Sequence, residues 1–293
     1  MTIQEALTAA RTQLVPCSTT PELDAEVLLA TATGQNREFF YQHLTAPLAA
    51  GASVRFSSLL RRRQSGEPVA YLTGHKAFCG LDFFVDRRVL IPRPETELLI
   101  DEVLKKIPQG TTSIADIGTG SGCIAITLAR NLPLVTVYAT DVSQQALTVA
   151  KRNAKKHKVK ITFLHGDLLT PLKDKKIDIL VANLPYGWKL WKNNTAAETR
   201  GLQFEPEHAL FTQGNGLFLY QRLFRQVAEL AHQPKLIIGE FDPRQKNQLQ
   251  NIVSVTLPDY TTIIKKDLAG HDRIALLQHR RQNSAKQTED QRR

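Results

Sequence analysis

Ser113-Ile114-Ala115-Asp116-Ile117-Gly118-Thr119-Gly120-Ser121-Gly122 sets an apolar pentapeptide directly before a run of alternate glycines. The first five residues predict a short buried strand, and Ile124 to Arg130 continues as a helix. Glycines between strand and helix let the backbone turn sharply and come close to a ligand without a clash at Cβ.

Downstream the alternation repeats. Strands are predicted at Thr136 to Thr140, Ile161 to Leu164, Ile177 to Ala182 and Lys235 to Gly239, with a helix beginning at Ser143. Such alternation implies a mostly parallel sheet with helices on both faces. Near the end, Thr261 to Lys265 and Arg273 to Leu277 flank only Asp267-Leu268-Ala269-Gly270-His271-Asp272. Strands so close in sequence are joined by a hairpin, which adds an antiparallel pair. A parallel sheet ending that way is similar to the seven-stranded methyltransferase sheet rather than to a dehydrogenase sheet.

NAD, FAD and S-adenosylmethionine sites all use a glycine-rich loop, so Gly118, Thr119, Gly120, Ser121 and Gly122 alone do not choose a cofactor. Asp141 narrows the choice: it closes the second strand, 23 positions beyond Gly118, where a carboxylate can accept from both ribose hydroxyls. Gly166-Asp167-Leu168 follows the third strand. Methyltransferases of this sheet type commonly place an acid there, near adenine, so Asp167 and Leu168 join the cofactor candidates; the other reading of Asp167 is a plain loop aspartate. Asp116 either faces the ammonium of the cofactor's methionine or caps the turn.

The fourth strand ends in Asn183-Leu184-Pro185-Tyr186-Gly187, at the carboxyl end where open α/β sheets bind ligands. The tetrapeptide resembles the Asn-Pro-Pro-Tyr type of methyltransferases acting on planar nitrogens, which are adenine amino groups and glutamine amides. An amide nitrogen is a poor nucleophile because its lone pair is delocalised, and it carries two N–H donors. The Asn183 side-chain oxygen can accept one and the Leu184 carbonyl the other. Accepting both favours a tetrahedral, positive nitrogen, while the Tyr186 ring stacks on the planar group and orients it.

Upstream, residues 1–74 predict helices. Leu7, Ala10 and Leu14 recur at helical spacing; Pro21-Glu22 opens a second run, closed by Gly34; Phe56, Leu59 and Leu60 mark a third. Residues 75–90, with Phe78, Leu81, Phe83 and Val85 around Gly80, predict a β-hairpin linker. Residues 91–280 would be the catalytic domain, whose first helix follows Pro92 and Pro94, and the polar tail 281–293 is predicted to be disordered.

The bulk numbers bound the rest. A 42% hydrophobic fraction is ordinary for a globular chain, and no stretch approaches the ~20 apolar residues of a membrane helix. The start, Met1-Thr2-Ile3-Gln4-Glu5, lacks a secretory pattern, so the expected location is the cytoplasm. Cys17, Cys79 and Cys123 are scattered and predict buried or half-buried thiols, with no metal expected. A net charge of +10 is compatible with nucleic acid. However, Lys151, Arg152, Lys155, Lys156, Lys158 and Lys160 suit a solvated helix face, as Arg61-Arg62-Arg63 also could.

Longer matches narrow the acceptor. Pro68-Val69-Ala70-Tyr71-Leu72-Thr73-Gly74, Phe78, Gly80 and Val89-Leu90-Ile91-Pro92-Arg93-Pro94-Glu95-Thr96-Glu97 resemble the release factor glutamine methyltransferase family. So do Phe204-Glu205-Pro206 with Ala209-Leu210, Gly214, Gly216-Leu217, and Lys266-Asp267-Leu268-Ala269-Gly270 with Asp272-Arg273. The resemblance implies a seven-stranded Rossmann-like α/β sheet with a small N-terminal helical domain joined by a β-hairpin. It implies S-adenosyl-L-methionine bound by Gly118 to Gly122, Asp141 and Asn183. Asn183, Leu184, Pro185 and Tyr186 would bind the glutamine of the Gly-Gly-Gln motif of class I peptide chain release factors, with Asn183, Pro185 and Tyr186 catalytic. The helical residues 1–74 would help grip the release factor. Three features depart from the family: Leu184 replaces its usual proline, the segment from Gly187 to Asn194 carries Trp188 and Trp191, and Gly239-Glu240-Phe241-Asp242 with Gln245 matches only partly. The two tryptophans would pack on the sheet or touch the partner. Asn-Leu-Pro-Tyr also resembles the rRNA adenine dimethyltransferases, which keeps an adenine-amino methyltransferase acting on RNA or DNA as the alternative.

Overall fold

A computed structural model describes residues 1–188 and 199–280. Trp191 and the tail 281–293 lie outside the described residues. The chain forms two compact units. The first takes Met1–His75, Val85–Arg87 and, from much later in the chain, the turn Thr199–Phe204; the second takes the rest.

The first unit holds five helices, α1 (Ile3–Leu14), α2 (Pro21–Thr33), α3 (Arg37–Gln42), α4 (Ala50–Gln64) and α5 (Val69–Thr73). The start of α1 is fixed by a capping box between Thr2 and Glu5, which satisfies two N–H groups the helix cannot. Gly34 ends α2 in the left-handed region. Ile3, Ala6, Ala10 and Leu14 form the buried stripe of α1 and pack with Leu28, Leu29, Phe40, Phe56 and Leu60, while Leu7 flanks them.

The basic triplet of α4 is not one solvated face. Arg61 and Arg62 are exposed, but Arg63 is buried and its Nε donates to Asp24 Oδ2 at 2.8 Å. A helix turns about 100° per residue, so three consecutive arginines cannot share a face, and the inward one needs a counter-charge. Arg62 instead binds Glu67, which also takes Arg87; these arginines hold the Glu67 carboxyl below its ordinary range.

Apart from His75, the two-stranded sheet of β1 (His75–Phe78) and β2 (Leu81–Phe84) belongs to the second unit. The main sheet comprises β3 (Ser113–Ile117), β4 (Thr136–Asp141), β5 (Thr162–His165), β6 (Ile179–Ala182), β7 (Leu236–Glu240), β8 (Tyr260–Lys266) and β9 (Asp272–His279). Their order is β5-β4-β3-β6-β7-β9-β8, parallel except for β9, which runs antiparallel to both neighbours. Every residue of β3, β6 and β7 is buried, as befits strands covered on both faces. Alternate residues divide between two cores. Ile117, Leu180 and Ile237 pack with Tyr220 and Phe224 of α10 (Phe218–Ala228) and Leu249 of α11 (Lys246–Thr256). Ile114, Val181 and Ile238 pack with Leu99 and Val103 of α6 (Glu97–Lys106) and Ile124 of α7 (Cys123–Asn131).

α8 (Gln144–His157) is capped by Ser143, whose hydroxyl accepts from Ala146 N, and exposes Lys151, Arg152, Lys155 and Lys156 opposite its buried side. That basic run is the solvated face its spacing implies. On the buried side, Asn153 accepts from Phe84 N and donates to the carbonyls of Phe84 and Ser121, tying β2 to the glycine loop. A four-residue helix, α9 (Glu207–Leu210), lies between β6 and α10. Cys17 and Cys79 are half-buried and Cys123 is buried. Among the described residues, no helix is long and apolar enough to cross a membrane and no His/Cys/Asp/Glu group is arranged to hold a metal.

Candidate active site

Between β3 and β6 the strand order reverses direction, which opens a crevice at the carboxyl ends of the strands. A cleft there is walled by Gly118 and Gly120 after β3, Asp141 at the end of β4, Asp167 and Leu168 after β5, and Asn183, Leu184 and Pro185 after β6. Four strand ends, far apart in sequence, thus contribute candidate residues to one wall. Val89, Leu90 and His208 line it as well.

The remaining loop residues hold the backbone in place and are not in the wall. Thr119 Oγ1 donates to Asp116 Oδ2 at 2.6 Å, and Ala125 N donates to the same oxygen at 3.2 Å. Asp116 is therefore the cap of the turn and not a cleft residue. Burial pushes its carboxyl up to about 7. The Ser121 carbonyl is taken by Asn153, and Gly122 packs against Ala150 and Ile126.

Asp141 is nearly buried. Its Oδ2 accepts from Gly120 N and its Oδ1 from Ser143 N, both at 2.8 Å. Burial raises its carboxyl above the ordinary range, and those two N–H groups oppose the shift. A carboxylate offers about four lone-pair positions, so each oxygen keeps one for a ribose hydroxyl. Above Gly120, at φ +55°, an added Cβ would meet nothing within 4 Å, so this backbone faces open cleft rather than packed protein. These features fit a nucleoside cofactor. Asp167 is half-exposed and its carboxylate accepts from Arg222, whose guanidinium lies 5.7 Å from the Phe218 ring centroid.

The tetrapeptide is tied from behind. Asn183 Nδ2 donates to Thr96 Oγ1 at 3.0 Å, and that hydroxyl donates to Glu240 Oε2 at 2.7 Å. Tyr186 OH donates to the other Glu240 oxygen at 3.0 Å, and the Tyr186 carbonyl accepts from Gln245 Nε2 at 2.9 Å. Tyr186 is buried and is not part of the cleft wall; burial and the Glu240 charge push its phenol well up. Glu240 is fully buried, and burial raises its carboxyl against the opposing pull of Thr96, Arg273 and Tyr186. Trp188 meets the Arg244 guanidinium at 4.7 Å from its ring, so of the two tryptophans the described one makes a cation–π contact.

Thr96, Glu240 and Gln245 were not among the expected site residues. Glu240 carries a readable signal, an acid closing the apolar strand Leu236-Ile237-Ile238-Gly239, at the sheet edge where ligands bind. Thr96 has none beyond its place inside the Pro92 to Glu97 match.

Comparison with known proteins decides the family. Residues 5–74 match the PrmC N-terminal domain model and residues 94–227 the Methyltransferase small domain model. The release factor glutamine methyltransferase of Moorella thermoacetica is 39% identical over 284 residues, covering 96% of this chain and 99% of that protein. This chain belongs to the release factor glutamine methyltransferase family. The Bacillus subtilis member is 34% identical, with 95% of this chain and 99% of that protein covered. Membership makes the chain an S-adenosylmethionine-dependent methyltransferase of protein glutamine. Among solved structures, the catalytic domain of hMettl16 in complex with MAT2A 3'UTR hairpin 6 superposes with a TM-score of 0.56 at 18% identity, covering 86% of this chain and 92% of that one. At that identity the likeness shows the fold alone: a Rossmann-like methyltransferase sheet.

Proposed function

We propose that this chain methylates the side-chain amide nitrogen of the glutamine in the Gly-Gly-Gln motif of class I peptide chain release factors. The observation that carries the reading is the shared cleft: in a member of this family, Asn183, Leu184 and Pro185 line the same wall as Asp141 and the glycine loop. Gly118, Gly120, Asp141, Asp167, Leu168 and Asn183 would hold S-adenosylmethionine, while Thr119, Ser121 and Gly122, outside the wall, shape the loop that presents the two glycines. When bound, it supplies an electrophilic methyl group on a sulfonium. Asn183 Oδ1 accepts one amide N–H and the Leu184 carbonyl accepts the other, which draws the nitrogen toward its tetrahedral, positive form. That cation sheds its proton readily, so the site needs no base ahead of attack. Tyr186, buried behind the wall rather than stacked on the planar group, is anchored through its hydroxyl and carbonyl and fixes the backbone that carries Asn183 and Leu184. Replacing the family's usual proline by Leu184 leaves the backbone carbonyl in place, so the acceptor geometry survives. The helices of residues 1–74 bind the release factor body.

The test offers labelled S-adenosylmethionine with purified release factor, ribosomal RNA and DNA in separate reactions. Label is expected in the release factor. Label confined to nucleic acid would overturn the reading in favour of adenine amino groups.

A further inference from the structure

An asparagine amide presents oxygen on one side and NH2 on the other, and turning it by 180° exchanges acceptor for donor. The proposed reaction needs the oxygen of Asn183 at the acceptor. Something must therefore choose the orientation. The chain of bonds behind Asn183 has a direction: Glu240 Oε2 accepts from Thr96 Oγ1 at 2.7 Å, and Thr96 Oγ1 accepts from Asn183 Nδ2 at 3.0 Å. All three lie in the second unit, and Thr96 and Glu240 are 2% and 0% exposed, so no bulk water competes.

We propose that Thr96 and Glu240 are positioning residues that set the amide orientation of Asn183, and with it the site's demand for an N–H donor at the acceptor. A hydroxyl has one proton. A carboxylate can only accept, so Thr96 gives its proton to Glu240 and keeps only lone pairs for Asn183. Only the NH2 of Asn183 can meet a lone pair, so Oδ1 is forced to the opposite side. Glu240 is suited to the task because its other oxygen takes the Tyr186 hydroxyl. The buried Arg273, always charged, acts on it as a counter-charge. One carboxylate thus fixes both ends of the tetrapeptide, Asn183 through Thr96 and Tyr186 directly. If Asn183 were turned over, its NH2 would face the substrate's own N–H donors and its oxygen would face the Thr96 lone pairs.

The inference rests on the proposed reaction, and the test separates the two. Thr96→Val keeps the shape and removes the hydroxyl, whereas Thr96→Ser keeps the hydroxyl. With release factor as substrate, Thr96→Val is expected to lower kcat about tenfold or more, with S-adenosylmethionine Kd within about twofold of the parent. Thr96→Ser is expected to recover most of that loss. In the ligand-free protein, the Asn183 side-chain NH2 resonances should show one bonded, shifted proton in the parent and in Thr96→Ser, and lose it in Thr96→Val. Unchanged Asn183 resonances in Thr96→Val, or a Thr96→Ser enzyme as slow as Thr96→Val, would overturn the proposal. A parent protein inactive on release factor would sink the substrate reading, and the resonances would still decide the relay.

Discussion

In the proposed reaction Asn183 supplies the acceptor oxygen, and its replacement by alanine removes that oxygen while leaving the cleft's carboxylate and glycines untouched. Turnover is expected to fall by about two to three orders of magnitude, with S-adenosylmethionine Kd changed only a few-fold, as read by kinetics and calorimetry. Unchanged turnover would contradict the assignment. Asp116 makes a different prediction at the same scale. Its carboxyl is raised to about 7 in the folded protein against 3.8 for the ordinary group, so the folded state holds the proton more tightly than the unfolded state. Its contribution to stability is complete below about pH 4 and is lost as pH rises toward 7, with a slope approaching about 1.4 kcal/mol per pH unit. Asp116→Asn should remove that slope from urea-unfolding curves taken without ligand. Asn183 was legible because its motif is contiguous and each residue type answers a need of the acceptor. Thr96 and Glu240 were not, because they lie 144 positions apart and their meaning arises only where a hydroxyl and a carboxylate touch.

At the scale of elements, the turn just ahead of α10 is as constrained as the glycine loop. Gly216 has φ +87°, and a Cβ there would run into the Tyr186 carbonyl and the Gln245 side-chain amide. Gly216→Ala is expected to cost about 1–3 kcal/mol in denaturant unfolding and to slow methyl transfer, since Tyr186 must shift. Wild-type stability together with wild-type rate would contradict this close packing of Gly216 on Tyr186. In α4, Arg63→Met leaves the buried Asp24 without its cation and is expected to cost about 3–5 kcal/mol, against a few tenths for Arg61→Met on the exposed side. The strands were legible because continuous burial writes apolar runs such as Ile179-Leu180-Val181-Ala182. α3 is too short to show a period, and α11 buries only Leu249 and Val253, too few to mark a face. α10, with Tyr220, Leu223, Phe224 and Val227 buried, carries a helical period that a reading by strands alone passes over.

At the scale of the whole molecule, the sheet order places the carboxyl ends of β3, β4, β6 and β7 around one site, and the late hairpin of β8 and β9 that pointed to this sheet is present. The assignment of Thr199–Phe204 to the helical unit was not legible, since nothing local distinguishes that turn from its neighbours. The net charge of +10 gave no direction either, because the α8 run is spread over solvent and does not line the cleft. The proposed reaction at these strand ends is methyl transfer to a glutamine amide. The direct measurement is to incubate the full chain with S-adenosylmethionine and a class I release factor, digest the factor, and weigh and fragment the Gly-Gly-Gln peptide. A gain of one methyl located on the glutamine side chain is expected; an unmodified glutamine beside a competent cofactor, or a methyl on another residue, would contradict the proposed reaction.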